Sequence, residues 1–225
     1  MSRIIVALDR FDSIDEVLKL VDMVNAYVAG YKIGLPLILR QGVAATKKLV
    51  ERMGGKILVV DMKLADIGYI MIETVRPLLE TGYRYFIAHG FVGYRGALEE
   101  LSLFLRENDA KLIVVAAMSH QGSQEIMDKH MYDILDIGIE ADAWGYVLPA
   151  TRPELIEKAR TYLDEKGYEA KILSPGIGAQ GAEPGSALRS GADYEIIGRM
   201  ITESTNSLEA VTMINKRHEE VLMEK

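Results

Sequence analysis

Asp61, Lys63 and Asp66 fall within one short stretch, Asp61-Met62-Lys63-Leu64-Ala65-Asp66-Ile67, directly after the apolar run Ile57-Leu58-Val59-Val60. Such a β-branched run reads as a buried strand, so the charges gather where the strand ends. In extended backbone, residues two apart project to one side, which predicts that Asp61 and Lys63 face the same way with Asp66 a short turn further on. A lysine between carboxylates has the makings of an acid. At ~4 Å and an effective dielectric of 20, each opposite charge attracts it by about 4 kcal/mol before desolvation. An arbitrary Asp-x-Lys is more often a solvated salt bridge at a strand end, so the meaning of this one depends on what the rest of the chain brings to it.

A second constellation lies far downstream. Ser174-Pro175-Gly176-Ile177-Gly178-Ala179-Gln180-Gly181 is followed by Gly185 and then by Gly198-Arg199. Glycines at that density let backbone N–H groups approach an anion closely, and the arginine adds a fixed cation. The pattern predicts a phosphate site, with Gln180 reaching either the phosphate or a polar edge of the ligand. Ser119 is no hydrolytic nucleophile, because Ala117-Met118-Ser119-His120-Gln121-Gly122 lacks the G-x-S-x-G elbow; a polar contact to a ring amide suits it better. His89 and His120 read as hydrogen-bonded loop residues, and Trp144 as core.

The elements that must position these residues alternate regularly. Apolar runs at 4–8, 28–33, 57–60, 85–88, 112–116, 143–148, 171–173 and 194–197 read as strands. Helices are expected at about 14–24, 35–53, 70–80, 96–106, 124–140, 153–165, 185–190 and 208–224, with Ser13 opening a capping box, Thr151 as an N-cap and an extra short helix at 199–202. Eight strand-helix units without a linker predict a single (β/α)8 TIM barrel over residues 1–225, with an open doubly wound sheet as the alternative. The barrel is favoured because polar residues recur at strand C-termini: Asp9, Lys32, Asp61, His89, Ser119, Gln180 and Arg199. In a barrel those ends converge on one mouth.

Composition narrows the chemistry. The 225 residues carry a formal charge of -7, which argues against a broad nucleic-acid surface while leaving room for a local anion pocket. Cysteine is absent, so disulfides, thiolate metal sites and a Cys nucleophile are excluded together. No apolar stretch has the length of a membrane span, and the sequence enters a strand almost at once without a leader pattern, so a cytoplasmic protein is expected. The segment Ile67-Gly68-Tyr69-Ile70-Met71 is unusually apolar for a rim, which predicts burial against a second subunit.

Taken in order, Ala7-Leu8-Asp9, Lys32-Ile33-Gly34, Asp61-x-Lys63-x-x-Asp66-Ile67, His89-Gly90-Phe91, Met118-Ser119-His120, the loop 174–181 and Ile197-Gly198-Arg199 closely resemble the orotidine 5′-monophosphate decarboxylase family, essentially end to end. The resemblance implies conversion of orotidine 5′-monophosphate to uridine 5′-monophosphate, the last step of de novo pyrimidine nucleotide synthesis, without metal or organic cofactor. It implies Lys63 as the proton donor to C6, in a charged network with Asp61, Asp66 and Lys32. Asp9 and Lys32 would contact ribose hydroxyls and Ser119 the pyrimidine. Pro175 would belong to the binding loop, Gln180, Gly198 and Arg199 would hold the phosphate, and Asp66 would reach the partner's site in a homodimer. Two positions depart from the family pattern: Gly68 stands where Pro is frequent, and Ile70 where a Thr helps hold ribose. Related barrels resembling 3-keto-L-gulonate 6-phosphate decarboxylase and hexulose-phosphate synthase share Asp-x-Lys-x-x-Asp but hold magnesium partly through a Glu after strand two. Lys32 takes that place here, so the magnesium-dependent decarboxylase or aldolase alternative loses its ligand. A nucleotide-binding barrel without chemistry is the other alternative, and it has no use for Lys63.

Overall fold

The computed structural model describes residues 1–224. Eight parallel strands close in sequence order into one barrel: β1 (Ile4–Ala7), β2 (Gly30–Gly34), β3 (Ile57–Leu64), β4 (Tyr85–His89), β5 (Lys111–Val115), β6 (Gly145–Val147), β7 (Lys171–Pro175) and β8 (Tyr194–Ile197). The closing pair is β1 with β8, in the register Val6 to Ile197. The strands read as continuous apolar runs because the barrel interior buries one face and the helices bury the other. The open-sheet alternative is thereby set aside.

The helical layer comprises α1 (Ile14–Val24), α2 (Leu35–Gln41), α3 (Val43–Arg52), α4 (Gly68–Thr81), α5 (Glu99–Glu107), α6 (Met131–Glu140), α7 (Pro153–Glu165), α8 (Ser186–Arg189), α9 (Arg199–Thr202) and α10 (Ser207–Met223). Ser13 caps α1 as expected, its hydroxyl accepting from the Glu16 N–H at 3.3 Å. The helix expected at 35–53 is two, broken at Gly42, whose φ of +77° lies outside helical geometry. The helix expected at 124–140 begins only at Met131. Short 3-10 turns occupy Gln121–Glu125 and Met127–His130, where Ser123 Oγ donates to Asp128 Oδ1 at 2.6 Å and accepts from the Met118 N–H. Thr151 is not a helix cap: Arg152 holds the cap position without a capping side-chain bond, and the Thr151 hydroxyl is buried with no hydrogen-bond partner among the described residues.

Trp144 is half-buried, not deep in the core. It meets Tyr85 at 4.8 Å and Tyr194 at 6.4 Å between ring centroids, and these residues start β4 and β8 while Trp144 leads into β6. Residues from alternate strands meeting across the axis form one layer of a filled barrel, so these aromatics close its N-terminal end. The opposite end is left for the site.

Candidate active site

The C-terminal mouth opens into a cavity of about 420 Å³. Its apolar floor includes Ile87, Val115, Val147 and Ile196, which come from four different strands. Asp9, Lys32, Asp61 and Lys63 line one side, and Pro175, Gln180, Gly198 and Arg199 another, with Ser119 between them on the β5 loop. Every expected site residue except Asp66 is therefore brought to one cavity from positions nearly two hundred residues apart.

The charged side is a chain of close contacts. Lys32 Nζ lies 2.7 Å from Asp9 Oδ1 and 3.3 Å from Asp61 Oδ2, and Lys63 Nζ donates to Asp61 at 2.8 and 2.9 Å. Asp61 and Lys32 are nearly buried, whereas the Lys63 side chain keeps 37% of its exposure and opens to the cavity. Burial alone would raise the Asp61 carboxyl, but the ammonium groups of Lys32 and Lys63 outweigh it and hold the group below its usual 3.8. A magnesium ion does not fit this donor set, because the Lys32 ammonium sits between the two carboxylates that would have to share the metal.

Simple strand alternation does not explain why Asp61 and Lys63 share a side. The strand expected to end at Val60 continues to Leu64, and its register against β4 slips: Val60 pairs with Phe86 and Leu64 with Ala88, so four steps of β3 span two of β4. Lys63 sits inside that bulge at φ +47°, a left-handed conformation costly for a residue with a long side chain. Strain of this kind at a cavity wall is retained where the surroundings over-determine it, here through the two hydrogen bonds to Asp61.

The opposite side is the glycine loop. Gly176, Gly178, Gly181 and Gly185 all have φ between +73° and +113°, which accounts for the glycine density. The loop folds back on itself through Gly178 N–H to Ala182 O at 2.7 Å, and the side-chain Oε1 of Gln180 lies over Gly176, 3.2 Å from where a Cβ would stand. Arg199 opens the expected short helix α9 and donates to Ala179 O at 3.4 Å, joining the cation to the loop tip.

Arg10 and Arg152 were not anticipated. Arg10 lines the cavity beside Asp9 and pairs with Glu203 at 3.2 Å; its position next to Asp9 was the available signal. Arg152 contacts both the Asp128 carboxyl and the Met118 carbonyl, while the Met118 N–H donates to Ser123 Oγ at 3.0 Å, so the backbone before Ser119 is held on both sides. His89, expected as a hydrogen-bonded loop residue, is instead the last residue of β4, buried against Phe91 outside the cavity lining, and its Nδ1 has no hydrogen-bond partner among the described residues. Burial first, then the Lys63 ammonium, push its imidazole below 6.5 against the pull of Asp61, leaving it neutral at pH 7. Asp66 is exposed and outside the cavity, its Oδ1 accepting from the Ile67 N–H at 2.7 Å.

Comparison with known proteins finds relatives along nearly the whole chain. Residues 2–214 match the model of the orotidine 5′-phosphate decarboxylase / HUMPS family. The orotidine 5′-phosphate decarboxylase of Aeropyrum pernix is 42% identical over 215 residues, covering 94% of this chain and 86% of the relative. That of Saccharolobus solfataricus is 39% identical, covering 99% and 94%. Among solved structures, orotidine 5′-monophosphate decarboxylase from Sulfolobus solfataricus superposes with a TM-score of 0.88 at 37% identity, over 99% of this chain and 100% of the other. The Methanocaldococcus jannaschii enzyme complexed with the inhibitor BMP gives 0.86 at 28% identity, over 99% of each chain. Matched to the family model over residues 2–214 and to these relatives over nearly its whole length, the chain belongs to the orotidine 5′-phosphate decarboxylase / HUMPS family.

Proposed function

We propose that the chain decarboxylates orotidine 5′-monophosphate to uridine 5′-monophosphate, a carbon-carbon lyase reaction of pyrimidine synthesis, with Lys63 as the acid. The observation that carries the reading is the Lys63 ammonium, 2.8 Å from Asp61 and open to a cavity whose other wall holds Gln180 and Arg199. The bond from C6 to the carboxylate breaks, CO2 leaves, and the electron pair remains at C6 with no adjacent carbonyl to delocalise it. The protein must therefore bring positive charge and a proton to that carbon, and Lys63 supplies both. Asp61 fixes the Lys63 ammonium beside the departing carboxylate. Asp9 and Lys32 hold the ribose hydroxyls, Ser119 the ring, and Pro175, Gln180, Gly198 and Arg199 the phosphate end. Phosphate is remote from C6, so its binding energy is available to assemble the site around the reacting carbon.

The magnesium-dependent sugar-phosphate reading would need an oxygen ligand where Lys32 stands, and the non-catalytic reading leaves the strained Lys63 without a purpose. In the isolated chain Ile67, Tyr69 and Ile70 are exposed next to Asp66 in sequence, which supports a homodimer that covers this rim and carries Asp66 into the partner's cavity. Among the described residues no helix is long and apolar enough to cross a membrane. The test of the activity is incubation of the purified protein with orotidine 5′-monophosphate in D2O. The reading requires uridine 5′-monophosphate carrying deuterium at C6, and unchanged nucleotide would reject it.

A further inference from the structure

One charged residue of β8 is used by none of the chemistry above. Glu195 interrupts the run Tyr194-Glu195-Ile196-Ile197 and is fully buried. A carboxyl group at that depth is costly unless its oxygens are filled. Here the Gly185 N–H donates to both oxygens at 3.0 Å, the Ala187 N–H to Oε1 at 3.1 Å, and His218 Nε2 lies 2.8 Å from Oε2. His218 is buried on α10, and its Nδ1 has no hydrogen-bond partner among the described residues. An unfilled lone pair costs less than an unfilled N–H, so the imidazole carries its proton on Nε2 and donates it to Glu195.

These partners meet at the far end of the glycine loop. The loop leaves β7 at Pro175 and ends at Gly185, where φ is +88° and a Cβ would come within 2.8 Å of Val221 on α10. Glu195 thus pins the second hinge of the loop, and its own strand delivers Gly198 and Arg199 directly afterwards. We propose that Glu195 is a positioning residue that fixes the loop carrying Gln180 at a set spacing from Arg199, with His218 completing the anchor. The inference rests on the assignment of Gln180 and Arg199 to the phosphate.

Steady-state kinetics with orotidine 5′-monophosphate and with orotidine, which lacks the phosphate, test it. In Glu195→Gln the amide N–H2 faces N–H donors, so one hinge is loosened with little change of volume. The expected result is a fall of about tenfold in kcat/KM for the nucleotide with the nucleoside rate within about twofold of wild type. His218→Leu removes a single donor and shifts the same ratio in the same direction by less, and it decides the matter if Glu195→Gln does not fold. Equal losses on both substrates, or a lowered melting temperature with unchanged nucleotide kinetics, would overturn the anchor. Arg199→Ala separates the two layers of the argument. If it fails to discriminate nucleotide from nucleoside, the phosphate assignment falls and takes the anchor with it. If it discriminates and neither Glu195→Gln nor His218→Leu does, the anchor alone is wrong.

Discussion

Asp61 joins two ammonium groups through one carboxyl, with Lys32 Nζ at 3.3 Å and Lys63 Nζ at 2.8 Å. Because its folded pKa lies below 3.8, its contribution to stability is complete above that value and is lost as pH falls through the folded pKa. Melting temperatures measured from pH 3 to pH 6 should therefore drop at the acid end in wild type and do so less steeply in Asp61→Asn. That variant should also lose turnover at neutral pH, because two neighbouring ammonium groups are left with a neutral amide between them. Most of this site was legible in the sequence, since Asp61, Lys63, Gln180 and Arg199 each lie in or just after the C-terminal part of a strand, where a barrel converges. Arg152 and Glu195 were not legible: both act through backbone groups or buried partners distant in sequence, and neither spacing nor charge pattern encodes such contacts.

At the level of elements, the loop from β7 and the bulge in β3 are the two places where backbone geometry is specialised. Gly178 combines φ +73° with a Cβ position 3.2 Å from the Met200 side chain on α9. Gly178→Ala should cost about 1–2 kcal/mol from the left-handed conformation alone. In a chain of this size that lowers the melting temperature by about 2–8 °C, readable by thermal unfolding, and kcat/KM for the nucleotide should fall with it. The alternation of strands and helices was plain from apolar periodicity. The breaks at Gly42 and before Met131 were not, because a glycine inside a helical pattern signals a break only when its φ is known, and Ser123 and Asp128 bond to each other, to the Met118 N–H and to Arg152 instead of continuing a helix. The bulge was hidden for a related reason: Asp61-x-Lys63 fits plain alternation equally well, and only pairing with β4 reveals the slip.

For the whole molecule, the proposed dimer makes each site depend on two chains. Lys63→Ala and Asp66→Asn should each be nearly inactive alone, yet random reassortment of the two should recover roughly a quarter of wild-type activity, because half of the dimers then contain one intact site. No recovery on mixing, with exchange of subunits verified, would place Asp66 in its own chain's chemistry or outside it. The central claim is that Lys63 performs a decarboxylation for which the charged wall, with Lys32 in the metal's place, suffices. Its most direct measurement is the loss of orotidine 5′-monophosphate absorbance with excess chelator present, for wild type and for Lys63→Ala. Wild-type turnover should be unaffected by the chelator, and a Lys63→Ala protein that melts as wild type does should lose at least about 10³-fold. Chelator inhibition reversed by magnesium, or a well-folded Lys63→Ala protein that turns over near the wild-type rate, would contradict it.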